Sequence, residues 1–279
     1  VNVSTTHVLD SVDRLDPLPA TVQRLIALLG DERAPLKAVV EIIEHDPAAT
    51  ANVLRMANSS LFPGRRVDSV QGAVNRLGTV ELLNLALSEV VRGMVQPAPA
   101  YGLTGVDLWL HAVATQSAAA EFQRRIRHVE LPGIVSTAAL VHDVGKLLLA
   151  RFFAADQDTL AHTAEDLRGD WLAAERELTG FDHAALGAVI AERWNFPETL
   201  VKAIRLHHTV RTEFDPIIDV IVAADLAAHS LGHGCGRAGG PNQYDPRAFD
   251  RLALNVPTFS SVVIASGARI QQVRSTFKI

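Results

Sequence analysis

The stretch Leu140-Val141-His142-Asp143-Val144-Gly145-Lys146-Leu147-Leu148-Leu149 sets a histidine, an aspartate and a lysine inside an apolar run. Such a run belongs in a protein interior. There an ionised group without a partner is strongly disfavoured. A bound cation or a close polar network must therefore compensate His142 and Asp143. Five more ionisable residues fall within apolar helical patterns: His111, His183, His207, His208 and Asp225. Several have ordinary explanations. A lone histidine on an apolar face is commonly a hydrogen-bonded core residue. Asp182 before His183 reads as a helix N-cap. His207-His208 reads as a helix C-terminal pair favoured by the macrodipole. Lys146 can snorkel, with its charge in water. Asp225 resists this treatment, since it lies between Val220-Ile221-Val222-Ala223-Ala224 and Leu226-Ala227-Ala228. Its least costly partner is a cation shared with His142-Asp143. Imidazole with carboxylate suits a divalent Fe, Mn, Zn, Ni or Mg ion, and the lack of a nearby thiol argues against structural zinc of the cysteine type. Such a site with open positions can activate water. A polar network without metal stays open at this point.

The elements that must position these residues read as helices throughout. Pro19 suits a first helical turn, followed by Val22, Leu25, Ile26 and Leu29 at helical spacing and by Gly30 as a stop. Leu36, Val39, Val40 and Ile43 mark a second helix, and Asp46-Pro47 opens a third. Ser69 caps the next, Gly78 closes it, and Thr79 starts one that runs to about Val95. Gln96-Pro97-Ala98-Pro99-Ala100 breaks the helical pattern and marks a lobe boundary. A long amphipathic helix is expected from about Val106 to Arg127, and Pro132 opens the one carrying His142. Residues 156–179 are more charged and read as one or two surface helices. Pro197 and Pro216 each start a helix. Glycines at 232, 234, 236, 239 and 240 make a flexible loop before two last helices. Residues 1–16 are polar with few apolar anchors and read as a loose lead-in or linker end. No stretch reads as a convincing strand, so an all-α architecture is expected.

Composition narrows the classes further. The 279 residues are 48% hydrophobic and only 5% aromatic, which favours helices over a β-sandwich. A net charge of −5 carries no chain-wide basic footprint, so direct nucleic-acid binding is not expected. The single cysteine, Cys235, excludes an intramolecular disulfide and suits a reducing compartment. No apolar run reaches the roughly 18 residues of a membrane span. Residues 1–7 lack the pattern of a signal peptide. A cytoplasmic protein without membrane association is expected.

The order His111, His142-Asp143, then a distant Asp225 resembles the HD superfamily of metal-dependent phosphohydrolases. The form here is more similar to one branch, the HDOD domain of bacterial signalling proteins. Several blocks carry the resemblance. They are Leu18-Pro19-Ala20, Leu54-Arg55-Met56-Ala57-Asn58-Ser59-Ser60-Leu61-Phe62, Ala73-Val74-Asn75-Arg76-Leu77-Gly78, Trp109-Leu110-His111, Gly180-Phe181-Asp182-His183, Arg193-Trp194-Asn195-Phe196-Pro197 and His207-His208. The match runs from about residue 14 to 228.

The resemblance implies an N-terminal helical lobe over 17–96 packed on an HD-like lobe over 101–228, with residues 229–279 outside the matched domain. It implies ligands for one or two divalent ions. His111, His142, Asp143 and Asp225 fall at the mononuclear positions, and His183, His207 and His208 at those of two-metal relatives such as the HD-GYP phosphodiesterases. Lys146 matches a lysine that would face a substrate phosphate. The Gly-Tyr-Pro signature of the HD-GYP relatives is missing after His207-His208, where the chain reads Thr209-Val210-Arg211. Cyclic-dinucleotide hydrolysis thus has no particular support. The resemblance favours a regulatory module acting through protein contacts, with a signalling protein or a fused upstream receiver domain as partner. The alternative is a metal-dependent phosphohydrolase acting on a nucleotide or phosphodiester, with Asp143 and Lys146 as its catalytic residues.

Overall fold

A computed structural model of the chain describes residues 3–29, 35–59, 61–94, 98–153, 156, 158–234, 244–277 and 279. Gly30, Ser60, Val95, Gln96, Pro97, Cys235 and the glycines at 236, 239 and 240 lie outside the described residues. Among the described residues there is no strand, and the fold is all-α as expected. None of these helices is long and apolar enough to cross a membrane.

The N-terminal lobe contains α1 (Thr5–Asp13), α2 (Ala20–Leu29), α3 (Leu36–Glu44), α4 (Pro47–Ala57), α5 (Val70–Leu77) and α6 (Thr79–Met94). Local signals set its boundaries. Asp46 accepts from the backbone N–H groups of Ala48 and Ala49, with Pro47 in the first turn of α4. Ser69 accepts from Gly72, and Gly78 ends α5 at φ 77°, a conformation that favours glycine. The expectation of a loose lead-in fails for residues 5–13. Ser4 caps α1, and Val8 and Val12 are buried. Two valines four apart suffice to anchor a short helix whose other face is polar, which is why the composition looked like linker.

The HD-like lobe contains α7 (Gly105–Arg125), α8 (Ile134–Val141), α9 (Val144–Phe152), α10 (Thr159–Asp166), α11 (Trp171–Thr179), α12 (His183–Arg193), α13 (Glu198–Leu206) and α14 (Pro216–Ser230). After it come α15 (Arg247–Arg251) and α16 (Val256–Phe277). Helix α7 is the axis of this lobe. It was expected to be amphipathic, but residues 108–119 are buried at every position save Gln116, because α8, α14 and α16 all pack on it. A helix enclosed on all sides has no polar face to show. The C-terminal helix is part of this enclosure. Phe277 meets Trp109 edge to face at 5.0 Å, and Phe259 lies beside Phe122.

The two lobes are joined by buried polar contacts as well as apolar ones. Asn84 on α6 donates to Ser136 Oγ at 3.0 Å and accepts from Thr137 Oγ1 at 2.8 Å, both on α8. Trp109 donates its indole N–H to the Ser88 carbonyl at 3.0 Å. Arg269 of α16 reaches back to the Leu61 carbonyl at 2.6 Å and to Glu81 at 2.8 Å, stacking over Phe62. Arg251 of α15 pairs with the fully buried Asp219 of α14 and with Asp245, and Arg211 pairs with the same Asp219. The segment after His208 is thereby clamped to α14 and α15.

A candidate metal centre

The helix expected to carry the His-Asp pair is broken there. His142 is the last, capping residue of α8, and Asp143 immediately precedes α9. His207 likewise caps the end of α13, and His183 is the first residue of α12. His111 on α7 and Asp225 on α14 sit in helix interiors. Helix ends bring main-chain carbonyls within reach of a ring nitrogen, and this fixes the rings.

Each of four imidazoles has its Nδ1 tied to an acceptor. His111 Nδ1 lies 2.7 Å from the His233 carbonyl, His142 Nδ1 2.7 Å from the Ala139 carbonyl, and His207 Nδ1 2.6 Å from the Ile204 carbonyl. A carbonyl only accepts, so these Nδ1 atoms carry the protons. His183 Nδ1 is 2.8 Å from the Glu175 carboxylate. In the neutral rings the Nε2 atoms are then left with lone pairs, and they converge. His111 Nε2 is 3.4 Å from His142 Nε2 and 3.2 Å from Asp225 Oδ1. His183 Nε2 is 2.9 Å from His208 Nε2.

Asp143 stands between the two groups. Its Oδ2 is 3.3 Å from His111 and 3.6 Å from His142, while its Oδ1 is 3.2 Å from His183 and 3.6 Å from His207. Two donor sets result: His111, His142 and Asp225, and Asp143, His183, His207 and His208. All seven expected ligands are brought together. His142 and His111 are 0% exposed and Asp143 only 8%. Lys146 does not snorkel. It is buried, and its Nζ donates to Asp143 Oδ2 at 2.7 Å.

The electrostatics follow from this enclosure. Burial pushes His142 down to about 3, outweighing the attraction of Asp143 and Asp225 for its proton. Burial likewise lowers His208 well below the ordinary histidine value, with His207 and His183 adding to the effect. Burial opposes ionisation of Asp143, but Lys146 foremost, then His142, holds its carboxyl well below the usual range. Asp225 is also lowered against burial, by the imidazoles of His111 and His229 beside its carboxylate. His183 goes the other way. Burial would lower it, yet the Glu175 carboxylate raises it to about 9.

The donor set fits a divalent ion. Acceptor lone pairs facing one another repel unless a proton or a cation lies between them. Nε2 of His207 is buried without any hydrogen-bond partner. Imidazoles whose second nitrogen is held by a carbonyl or carboxylate are the usual surroundings of a metal site. When bound, the metal would supply Lewis acidity and lower the pKa of a water molecule.

Three residues of this centre escaped the sequence reading. Glu175 is fully buried and accepts from His183 N at 2.7 Å and from the Tyr101 hydroxyl at 2.9 Å. It lay in a charged stretch expected at the surface. His229 Nδ1 is 3.1 Å from Asp225 Oδ1, one helical turn along α14, and that spacing was a readable signal. His233 contributes only a carbonyl, for which no side-chain pattern exists.

An all-helical chain with a His/Asp centre built at helix ends defines the HD-type class of fold and site. A family model, the HDOD domain, matches residues 15–210, and the chain belongs to this family. The match ends before Asp225, which joins the site by geometry. In the solved structures, a protein of Shewanella amazonensis named "Putative phosphohydrolase" is 25% identical, with a TM-score of 0.71 over 95% of this chain and 97% of that one. A "Putative signal transduction protein" of Marinobacter aquaeolei is 26% identical, with a TM-score of 0.73 over 97% of this chain and 61% of that one. Among curated proteins, an "Uncharacterized protein" of Treponema pallidum is 25% identical over 248 residues, 83% of this chain. The chain spans 46% of that relative's length.

Proposed function

We propose that this protein is a bacterial signal-transduction module that acts through protein contacts and keeps an HD-type centre for one or two divalent ions. The observation that carries the metal part is the convergence of Nε2 lone pairs on Asp143, with each Nδ1 turned away to an acceptor. The regulatory part is supported by the burial of the centre, six of whose seven side chains, all but His208, are buried. It is supported also by the N-terminal lobe, which no hydrolytic step requires. The partner on this reading is a signalling protein or an upstream receiver domain, and the setting is the cytoplasm.

The second reading is a metal-dependent phosphohydrolase acting on a nucleotide or phosphodiester. Its support is Asp143, which turns one oxygen to each donor set as a carboxylate shared by two ions would. It also has the name of the Shewanella relative. In this reading Asp143 orients, and Lys146 offsets negative charge on the phosphoryl group. In the structure Lys146 is committed to Asp143, so it would have to exchange that partner for substrate.

The test combines metal analysis of the purified protein with a panel of nucleotides and phosphodiesters, run on the wild type and on Asp143→Ala. Bound metal without turnover supports the regulatory reading. Turnover abolished by Asp143→Ala supports the hydrolase instead. A protein that binds no metal, whether purified in air or anaerobically, contradicts the hydrolase and the metal part of the regulatory reading.

A further inference from the structure

A cavity of about 460 Å³ lies in the N-terminal lobe where it meets the HD-like lobe, and none of the His/Asp centre lines it. Helices α2, α4 and α6 form most of its wall, and Trp194, the residue that caps α12, closes it from the HD-like lobe. The volume is that of a small-molecule site rather than a packing void. The walls are aliphatic: Val22, Leu25, Val53, Met56, Leu82 and Val90.

Two polar groups in this wall lack partners. Trp194 is 3% exposed, and its indole N–H has no hydrogen-bond acceptor. Glu89 pairs one oxygen with Arg92 at 2.6 Å, but Oε1 is buried and accepts nothing. Buried polar groups are nearly always satisfied, so two orphans in one cavity wall call for an explanation. The charged residues in the lining are all acidic: Asp16, Asp46 and Glu89, with no lysine, arginine or histidine among them. Asp46 is already occupied as the α4 cap and by the Thr21 hydroxyl. Glu89 is therefore the acidic group with an oxygen to offer.

We propose that this cavity binds a small apolar amine that also carries an acceptor oxygen. The apolar body lies against the aliphatic wall. The ammonium donates to Glu89 Oε1, and the acceptor oxygen takes the Trp194 N–H. The acidic lining disfavours carboxylates and phosphates of the same shape. This inference is independent of the metal centre and of any turnover there.

Calorimetric titration of the whole chain with phenylalaninol, phenylpropanol and phenylpropionate tests it. These probes share a body, and their head groups are cationic, neutral and anionic. Phenylalaninol is expected to bind saturably, one per chain, and about tenfold more tightly than phenylpropanol, as a charge-assisted hydrogen bond implies. Glu89→Gln is expected to erase that difference, and Trp194→Phe to weaken both alcohols. Ala86→Phe, which fills the cavity, is expected to abolish binding in a protein of unchanged helicity. The proposal is overturned if phenylalaninol does not saturate, if phenylpropionate binds as tightly, or if folded Glu89→Gln keeps the wild-type preference. Should a variant fail to fold, the order of the three probes on the wild type decides alone.

Discussion

Nε2 of His183 lies 3.2 Å from Oδ1 of Asp143, across a contact between α9 and α12 that only glycine permits. A Cβ at Gly145 would stand 2.0 Å from the His183 carbonyl oxygen and 2.8 Å from the Gly187 nitrogen. Both of those atoms are backbone, so neither can rotate away. The geometry of the His/Asp centre and the helix packing are thus one feature. Gly145→Ala is expected to force the helices apart, costing about 2 kcal/mol or more as other overpacked sites do. It should also lower metal content. Thermal unfolding and elemental analysis of the same sample check both effects, and an unchanged melting temperature would contradict the packing.

Glu175 supports His183 from behind. Glu175→Gln keeps the shape but weakens the acceptor for His183 Nδ1, and loss of such a partner reduces metal affinity by about 10–100-fold. Glu175→Ala additionally leaves Tyr101 and two N–H groups of His183 without their acceptor, and should cost about 3 kcal/mol. Competition with a chelator measures the first effect, and urea unfolding measures the second.

Asp225 separates the metal-bound from the metal-free state. Without metal, Asp225→Asn removes a carboxylate that His111 and His229 hold ionised in the fold, and is expected to lower the melting temperature. With metal, it also removes a ligand and should lower the melting temperature further. Melting curves with and without chelator, on both proteins, should show the larger loss where metal is present.

The pH dependence of the metal-free protein follows from two buried histidines. His142 is near 3 in the fold, against about 6.5 when unfolded. The unfolded chain binds the extra proton, so this contribution is full above pH 6.5 and is lost as pH falls toward 3. His183 is near 9 in the fold. Its contribution is full below pH 6.5 and is lost as pH rises through 9. Stability from this pair should therefore peak near the unfolded histidine value. Denaturant midpoints across pH check this, and His183→Asn should remove the alkaline limb alone.

The clamp of Arg211 and Arg251 on Asp219 offers a test away from the centre. Asp219 is 0% exposed and accepts from Arg251 at 2.8 and 2.6 Å. Removing one partner of a buried pair is costly, so Arg251→Met should lose about 3 kcal/mol. Hydrogen exchange should then rise in α15 before the rest of the chain.

Much of this architecture was legible in the sequence, for identifiable reasons. Asp46-Pro47, Ser69 and Asp182 announced their helices because caps act within three residues of themselves. Asp225 announced the site because an aspartate amid valine and alanine needs a partner. Asp219 sits in the same apolar stretch only six residues earlier, yet its partners are arginines. Sequence alone does not tell these two cases apart, since the difference lies in what α15 and the segment after His208 bring across. Glu175 was hidden in the same way, among exposed neighbours of its own helix. The all-round burial of α7 was unreadable because three other helices impose it.

On the proposed reading, His111, His142, Asp143, His183, His207, His208 and Asp225 together hold metal. Elemental analysis of protein purified without added metal, paired with an anomalous-scattering map around His142, tests it most directly. The expected result is a stoichiometric divalent ion among these side chains, lost in Asp143→Ala. An empty map in wild-type protein, with only trace metal after purification in both air and anaerobic conditions, would contradict it.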